Sequence, residues 1–179
     1  MLAITNILVA TDFSECSDAA WTYGRALAHK FGAHLHLLHV AESLIGDGFN
    51  VTGYVASIPE LQAELEDAEC RRLEGLVSDQ DRCTLHVTTV LRTLDAPAHA
   101  IVQYAKDERI DVIVVGTHGR RGLVHLVMGS VAETVVRTAP CPVLTVRHPE
   151  REFVVSDAGD YAVAGHGAPH LPSGRPERS

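Results

Sequence analysis

Val112-Ile-Val-Val-Gly116 is a run of four β-branched residues that ends in a glycine. A short, wholly apolar run of this kind is typical of a strand buried on both faces of a parallel sheet. Similar runs recur along the chain, and amphipathic stretches separate them. The predicted strands are Asn6 to Ala10, His34 to Val40, Thr84 to Leu91, Val112 to Gly116 and Val143 to Val146. This alternation predicts an α/β fold, an open five-stranded parallel sheet in the order 3-2-1-4-5 with helices on both faces.

Two amphipathic helices are predicted before the third strand. The first repeats apolar residues every three or four positions from Ala20 to Phe31, and Gly32 supplies its C-terminal stop. The second, from about Pro59 to Val77, opens with Ser57-Ile-Pro-Glu60, a spacing in which the two polar side chains cap the helix reciprocally. Its apolar stripe is expected to include Leu61, Leu65, Leu73 and Leu76.

Two further helices are predicted in the second half of the chain. The third, near Ala96 to Glu108, follows Asp95, whose carboxylate is a suitable N-cap. The fourth begins near Gly129-Ser130 and runs to about Thr138, because Pro140 and Pro142 cannot continue it. The third helix is expected to bury Ala98, Ile101, Val102 and Ala105.

Two segments differ from the rest in composition. Residues 41–56 carry three glycines and no clear period, which indicates either a long loop that covers a site beyond the second strand or a disordered segment. From His148 onward the chain is rich in Gly, Pro, Ser, Arg and His, and has too little apolar content to offset the entropy lost on ordering. We therefore expect one folded domain over residues 1–147 and a disordered tail over residues 148–179.

Composition narrows the function classes. A chain of 179 residues with 46% hydrophobic content is long enough for one substantial core. Its net charge of −8 disfavours a nucleic-acid partner, because that affinity needs clustered Lys and Arg. Its longest uncharged apolar runs fall short of the roughly 18 residues that a membrane span needs. The apolar N-terminus lacks a basic leader and the four cysteines are scattered, so the sequence predicts a cytoplasmic protein with reduced thiols.

Two features stand at strand ends that the order 3-2-1-4-5 would bring together. Asp12 follows the first strand and Gly116 closes the fourth. In open parallel sheets, ligands bind beyond the carboxyl ends of the strands, where the strand order reverses. From Gly116, the spacing Gly-x2-Gly-x9-Gly-Ser leads through Gly119 to Gly129-Ser130. Glycines let the backbone approach an anion and the next helix N-terminus offers unpaired N–H groups, so this segment is a candidate phosphate site.

Structural roles compete with these assignments. Asp12 could cap a turn or a helix, and either glycine could serve an ordinary turn. Arg120 and Arg121 could bond phosphate oxygens, but adjacent loop arginines are more often solvated. His118 and His125 could bond phosphate or face solvent. No general base with fixed geometry can be picked out and the P-loop lysine is absent, so no catalytic residue is assigned.

Histidines are numerous enough to raise the possibility of a metal site. The densest cluster is His34-Leu-His36 with His39. On a strand, His34 and His36 point to one face and His39 to the other, so these three do not converge. Solvated or core histidines are favoured over ligands, and no metal site is predicted.

The segment from Gly116 to Arg147, with its Pro140-Cys-Pro142 strand entry, resembles the C-terminal motif of the universal stress protein family. The stretches Ile7 to Ser14 and Leu37 to Val40 are also similar to that family, so the resemblance covers residues 3–147. It implies a sheet of the adenine nucleotide alpha hydrolase type that binds ATP, with or without Mg²⁺.

The nucleotide-binding branch of that family has matching positions in this chain. The resemblance implies that Asp12 contacts the ribose and that Val40 packs near the adenine. It implies that Gly116 and Gly119 shape the phosphate loop, and that Gly129-Ser130 holds the phosphates. All of these are cofactor-binding positions.

The resulting prediction is an ATP-binding regulator of the stress response. The unprotected edge of the last strand, together with the resemblance, predicts a homodimer through Val143 to Val146, and a further protein partner is left unidentified. Two alternatives from other classes stay open: a slow ATP hydrolase or related adenine-nucleotide enzyme, and an interaction protein whose nucleotide site is vestigial.

Overall fold

Five parallel strands form one sheet in the computed structural model, which describes residues 3–43, 58–94, 96–119 and 128–148. The strands are β1 (Asn6–Thr11), β2 (His34–Ala41), β3 (Val87–Thr93), β4 (Val112–Gly116) and β5 (Val143–Val146). They lie in the order β3-β2-β1-β4-β5. Every neighbouring pair is parallel. The predicted sheet and its strand order are confirmed.

Helices cover both faces of this sheet, as predicted. They are α1 (Glu15–Phe31), α2 (Ile58–Gly75), α3 (Asp79–Thr84), α4 (Pro97–Asp107) and α5 (Ser130–Thr138). The face under α1 and α2 buries Leu35 and Leu37 of β2. The face under α4 and α5 buries Leu38 of the same strand. Because alternate residues of a strand point to opposite faces, a strand covered on both sides must be apolar nearly throughout.

The sequence around α1 determines both of its ends. The Ser14 hydroxyl accepts a hydrogen bond from the backbone N–H of Ser17 and caps the N-terminus. Gly32 is left-handed, with φ of 63°, and ends the helix where the sequence predicted. Phe31 was expected on the buried face but is 41% exposed, because it is the last helical residue and the chain leaves the helix there.

The helix α3 corrects the prediction that a strand begins at Thr84. Residues 79–84 are helical and β3 begins at Val87. Ser78 and Asp81 form a reciprocal capping box: Ser78 Oγ accepts from the N–H of Asp81 at 3.1 Å, and Asp81 Oδ2 accepts from the N–H of Ser78 at 3.0 Å. Asp81 is fully buried, and Arg25 Nε donates to its Oδ1 at 2.7 Å. This pair anchors the short helix to α1, a contact that no local pattern reveals.

The buried face of α2 also differs from the prediction. Leu61 and Leu65 are 51% and 43% exposed, whereas Leu73 is buried as expected. The inward face in this half of the helix is shifted by one residue, because Glu66 accepts hydrogen bonds from Gln62 and Thr93. Those two bonds lower the pKa of the Glu66 carboxyl.

The N-cap of α4 is Ala96, one residue after the predicted cap. Its methyl side chain makes no capping hydrogen bond, and Pro97 occupies the first turn, where a missing N–H costs nothing. The predicted caps Asp95 and Ser57 lie outside the described residues.

Several sequence predictions fall largely outside the described part of the chain. These are the segment 44–56 of the predicted loop, the side chains of Arg120, Arg121 and His125, and the predicted tail beyond His148. Ala41 to Ser43 are described, and Ala41 belongs to β2 and not to the loop. Among the described residues, no helix has both the length and the apolar character needed to cross a membrane.

Candidate functional site

The carboxyl ends of β1 and β4 lie side by side in the middle of the sheet. The two strands pair from Ile7–Val112 to Ala10–Val115, so Asp12 and Gly116 leave the sheet at the same edge. The connection after β1 goes to β2 on one side, and β4 lies on the other, which makes this the point where the strand order reverses. The predicted adjacency of these two strand ends is therefore confirmed. Ligands of open α/β sheets bind at such points.

Asp12 sits in a tightly bonded turn between β1 and α1. Its Oδ1 accepts hydrogen bonds from the backbone N–H of Ser14 at 3.2 Å and from the Ser14 hydroxyl at 2.6 Å. The intervening residue, Phe13, has φ of 62°, a conformation that bulky residues rarely adopt. Its N–H donates to Thr11 Oγ1 at 3.0 Å. Asp12 therefore does have the structural role that the sequence offered as an alternative, because its carboxylate supports the turn that leads into α1.

Gly116 lies where β4 meets the first turn of α1. A methyl group at this position would stand 2.9 Å from the backbone carbon and oxygen of Cys16. Backbone atoms cannot move aside as a flexible side chain does, so the close approach of strand and helix requires glycine. The role of Gly116 seen here is to bring β4 and α1 together beside the crevice.

The two ends of the predicted phosphate loop meet next to β4. The N–H of Thr117 donates to the carbonyl of Val146 at 2.7 Å, and the N–H of Gly129 donates to the carbonyl of Thr117 at 2.7 Å. A methyl group at Gly129 would stand 3.3 Å from that carbonyl oxygen. The chain thus returns at Gly129 beside the point from which it left the sheet, and α5 begins there.

Gly119 brings the loop against the carboxylate of Asp12, which follows β1. A methyl group at Gly119 would collide with Oδ2 of Asp12, whereas Oδ1 is the oxygen bonded to Ser14. Asp12 and Gly119 are therefore direct neighbours, although their positions are distant in sequence. The structure brings together four of the six predicted site residues in this way, namely Asp12, Gly116, Gly119 and Gly129.

Ser130 is the first residue of α5 and is exposed. Its helix has Gly129 as N-cap and no side-chain capping bond among the described residues. The N–H groups of a first helical turn have no intrahelical partner, and they attract anions because the helix dipole is positive there. Ser130 also borders a groove of about 310 Å³ between the first turns of α4 and α5. This end of α5 has the donors that an anion needs.

Val40 lies at the same edge of the sheet on the neighbouring strand. It follows His39, which is paired with Thr11, and it is half-buried. Its side chain packs against the apolar core under α4 and α5. The position suits an apolar contact with a ligand that lies over the edge of β1 and β2.

Phe13 follows Asp12 and contacts His39 and Arg72, and none of these three residues was predicted as part of the site. The Phe13 ring has its centroid 4.3 Å from that of His39, and the guanidinium carbon of Arg72 lies 4.2 Å from the Phe13 centroid. His39 stands in the Leu37 to Val40 stretch and could have been found there. Arg72 is on α2, so only the folded structure relates it to Asp12.

The histidines of β2 divide between the two faces as predicted. His36 contacts Tyr104 of α4, and His39 lies near Glu69 of α2. The structure adds His86, whose ring stacks on that of His34 with centroids 3.8 Å apart. Among the described residues, no group of three or more His, Cys, Asp or Glu side chains could hold a metal ion.

Comparison with known proteins places this arrangement in one family. The model of the "Universal stress protein family" matches residues 3–147. A universal stress protein of Methanocaldococcus jannaschii is 33% identical over 146 residues, which cover 82% of this chain and 84% of the relative.

Solved structures agree with this assignment. A second universal stress protein of M. jannaschii superposes with a TM-score of 0.71 at 27% identity, over 84% of this chain and 100% of that protein. UspA from Lactobacillus plantarum superposes with a TM-score of 0.66 at 28% sequence identity, over 82% of this chain and 100% of that protein. Two universal stress proteins were solved with cAMP and with dAMP; at 21% and 20% identity, their likeness to this chain concerns the fold alone. The chain belongs to the universal stress protein family.

Proposed function

We propose that this universal stress protein binds an adenine nucleotide, ATP with or without Mg²⁺, at the edge formed by β1, β4 and α5. In this proposal the phosphates lie on the N-terminus of α5 at Gly129 and Ser130, and the loop glycines Gly116 and Gly119 leave room for them. Asp12 contacts the ribose, and Val40 packs near the adenine.

One observation carries the proposal. The N-terminus of α5 has no side-chain cap among the described residues, and it opens beside the strand end where Gly119 meets the Asp12 carboxylate. A positive helix end suits phosphate, and a carboxylate suits the hydroxyls of a ribose, so the two together favour a nucleotide over a simple anion.

Substitution of Gly129 by valine tests the phosphate contact. The branched side chain starts 3.3 Å from the Thr117 carbonyl oxygen and would fill the space before the helix end. We expect the rise in melting temperature on adding ATP, measured with and without Mg²⁺, to disappear, because a ligand stabilises only a protein that binds it.

Ser130→Ala provides a milder second variant that removes only the exposed hydroxyl. Loss of one hydrogen bond to a charged phosphate should weaken ATP binding about tenfold or more, without changing the melting temperature of the free protein. If both variants keep the ATP-dependent shift of the unaltered chain, the phosphates do not lie at this helix end.

We further infer a regulatory role in which the bound nucleotide acts as a signal. Measuring the rate of ATP hydrolysis with excess ATP and Mg²⁺ distinguishes this regulator from an ATP hydrolase. A rate above about one turnover per second would be that of an ordinary enzyme. Much slower turnover supports the regulator.

We also propose that the protein acts as a homodimer in the cytoplasm. β5 pairs with β4 and is at one edge of the sheet, and its Leu144 is exposed. An uncovered edge strand is a ready site for pairing across a two-fold axis. The four cysteines, all within the described residues, are free, which fits a reducing compartment.

A further inference from the structure

The turn that presents Asp12 is held in an unusual backbone conformation. Phe13 has φ of 62°. Such a conformation in a bulky residue persists only when its surroundings hold it there. The contacts of Phe13 with the rest of the protein therefore bear on where the neighbouring carboxylate points.

Two other elements hold the Phe13 ring. His39 of β2 is buried and its ring centroid lies 4.3 Å from that of Phe13, with the planes tilted by 48°. Arg72 of α2 places its guanidinium carbon 4.2 Å from the ring centroid, within the range of a cation–π contact. We call Arg72, Phe13 and His39 the Phe13 stack.

The stack also fixes the backbone on the other side of Asp12. His39 Nδ1 lies 2.7 Å from the carbonyl oxygen of Thr11, and because a carbonyl only accepts, Nδ1 carries the proton. His39 Nε2 then faces the Glu69 carboxylate at 3.6 Å. The residues before and after Asp12 are thus both held by the same imidazole.

The two carboxylate oxygens of Asp12 have different neighbours. Oδ1 of Asp12 accepts the two bonds from Ser14, and Oδ2 faces Gly119 of the phosphate loop. We propose that Arg72, Phe13 and His39 are positioning residues that hold Asp12 in the orientation that reads the ribose hydroxyls of the nucleotide. The inference rests on the proposed function, and it makes the stack a determinant of selectivity for ribose over deoxyribose.

Calorimetric titration with ATP, 2′-deoxy-ATP and 3′-deoxy-ATP tests the proposal. The unaltered protein should prefer ATP over at least one deoxy form by about tenfold or more, the loss expected when a charged hydrogen bond is removed. Asp12→Ala should abolish that preference.

Phe13→Asn removes the ring but retains a residue that tolerates the left-handed conformation. It should reduce the preference to about twofold or less by weakening ATP and leaving the deoxy form nearly unchanged. Phe13→Tyr keeps the ring and should keep the preference. In the Asp12→Ala background, Phe13→Asn should have no further effect on selectivity.

Arg72→Gln tests the stack from the exposed surface of α2, where no loss of folding is expected, and Arg71→Gln is its matched control. Arg72→Gln should lower the preference for ATP and Arg71→Gln should not. Equal weakening of all three nucleotides by Phe13→Asn, or an unchanged preference in both stack variants, overturns the positioning role alone. An unaltered protein that binds nucleotides without preferring ribose overturns it as well, whereas failure to bind any of them overturns the proposed function together with it.

Discussion

Among the described residues, three glycines stand where an added methyl group would lie less than 3.0 Å from a neighbouring atom. Gly24 in α1 would collide with Val9 of β1, Gly116 would meet the backbone of Cys16, and Gly119 would meet Asp12. Gly24 and Gly116 let α1 pack closely on β1 and β4, while Gly119 lies against Asp12 at the proposed site. Residues of one type thus separate into a packing role and a proposed binding role according to what lies opposite them.

Gly24→Ala should destabilise the fold by about 1–2 kcal/mol. Its methyl group would overlap the Cγ2 atom of Val9, which is fully buried, and the cost of overpacking exceeds the gain in helix propensity. Gly75→Ala is the control, since Gly75 ends α2 and has no neighbouring atom within 4 Å of an added methyl group. Urea denaturation measures both variants, and equal midpoints for the two would contradict the packing argument.

Residue types and spacing predicted much of the candidate site but not its supports. Asp12 and Gly116 follow strands, so their place at one edge could be read from the order of elements. The left-handed conformation of Phe13 could not be predicted from the sequence, because a positive φ in a bulky residue depends on the atoms that hold it. Arg72 lies outside any local motif, and its contact with Phe13 exists only after α2 has packed.

At the level of elements, β2 carries a histidine into the core under α4. His36 is 4% exposed, and its Nδ1 lies 2.8 Å from the hydroxyl oxygen of Tyr104. Burial, with a smaller contribution from the nearby His34 and His86, lowers the pKa of His36 to about 4. Burial likewise raises the pKa of Tyr104 to about 12, with Glu108 adding to that rise and Arg92 opposing it.

Stability should therefore fall as the pH falls from about 6.5 to about 4. In that window the unfolded chain binds a proton at His36 and the folded chain does not, so acid favours unfolding by at most about 3 kcal/mol. Urea midpoints between pH 7.5 and 4 measure the slope, and His36→Phe should flatten it. His29→Phe, at an exposed site in α1, should leave it as in the unaltered protein. If His36→Phe leaves the dependence of the urea midpoint on pH unchanged, titration of His36 is not its cause.

Short apolar strands were predictable, whereas elements that depend on polar contacts were not. The strands β4 and β5 have the predicted bounds, because each is a short run of mainly β-branched residues with a glycine or a proline at one end. The helix α3 was missed because it is only six residues long and its contact with the rest of the fold, the bond between Asp81 and Arg25, joins distant parts of the chain. The inward face of α2 was misplaced for a similar reason, since polar bonds to Glu66 outweighed the leucine pattern.

On the scale of the whole molecule, the sheet has two edges, β3 and β5, with different surroundings. α2 packs against β3, and Leu94 just beyond it is 47% exposed. At the β5 edge, Leu144 of the strand is exposed, and so are Val131 and Val136 of α5. This asymmetry favours β5 as the edge that pairs in the proposed dimer.

Leu144→Lys should convert that dimer into a folded monomer. A lysine on an edge strand opposes pairing with another strand, and the exposed position tolerates it within the monomer. Sedimentation velocity gives the oligomeric state and circular dichroism the fold. Leu94→Lys at the other edge is the matched control and should remain dimeric. A Leu144→Lys protein that still sediments as a dimer would place the interface elsewhere.

The hydrogen bond from Gly129 to the Thr117 carbonyl has a consequence for how such a protein can change over time. This bond ties the two ends of the loop to each other, and the bond from Thr117 to Val146 ties them to β5. The positions of the sheet and of α5 therefore do not depend on the length of the loop. Lengthening a loop whose ends are already fixed costs little free energy. Changes in the number of residues between Gly119 and Met128 are therefore expected to leave the sheet and α5 in place.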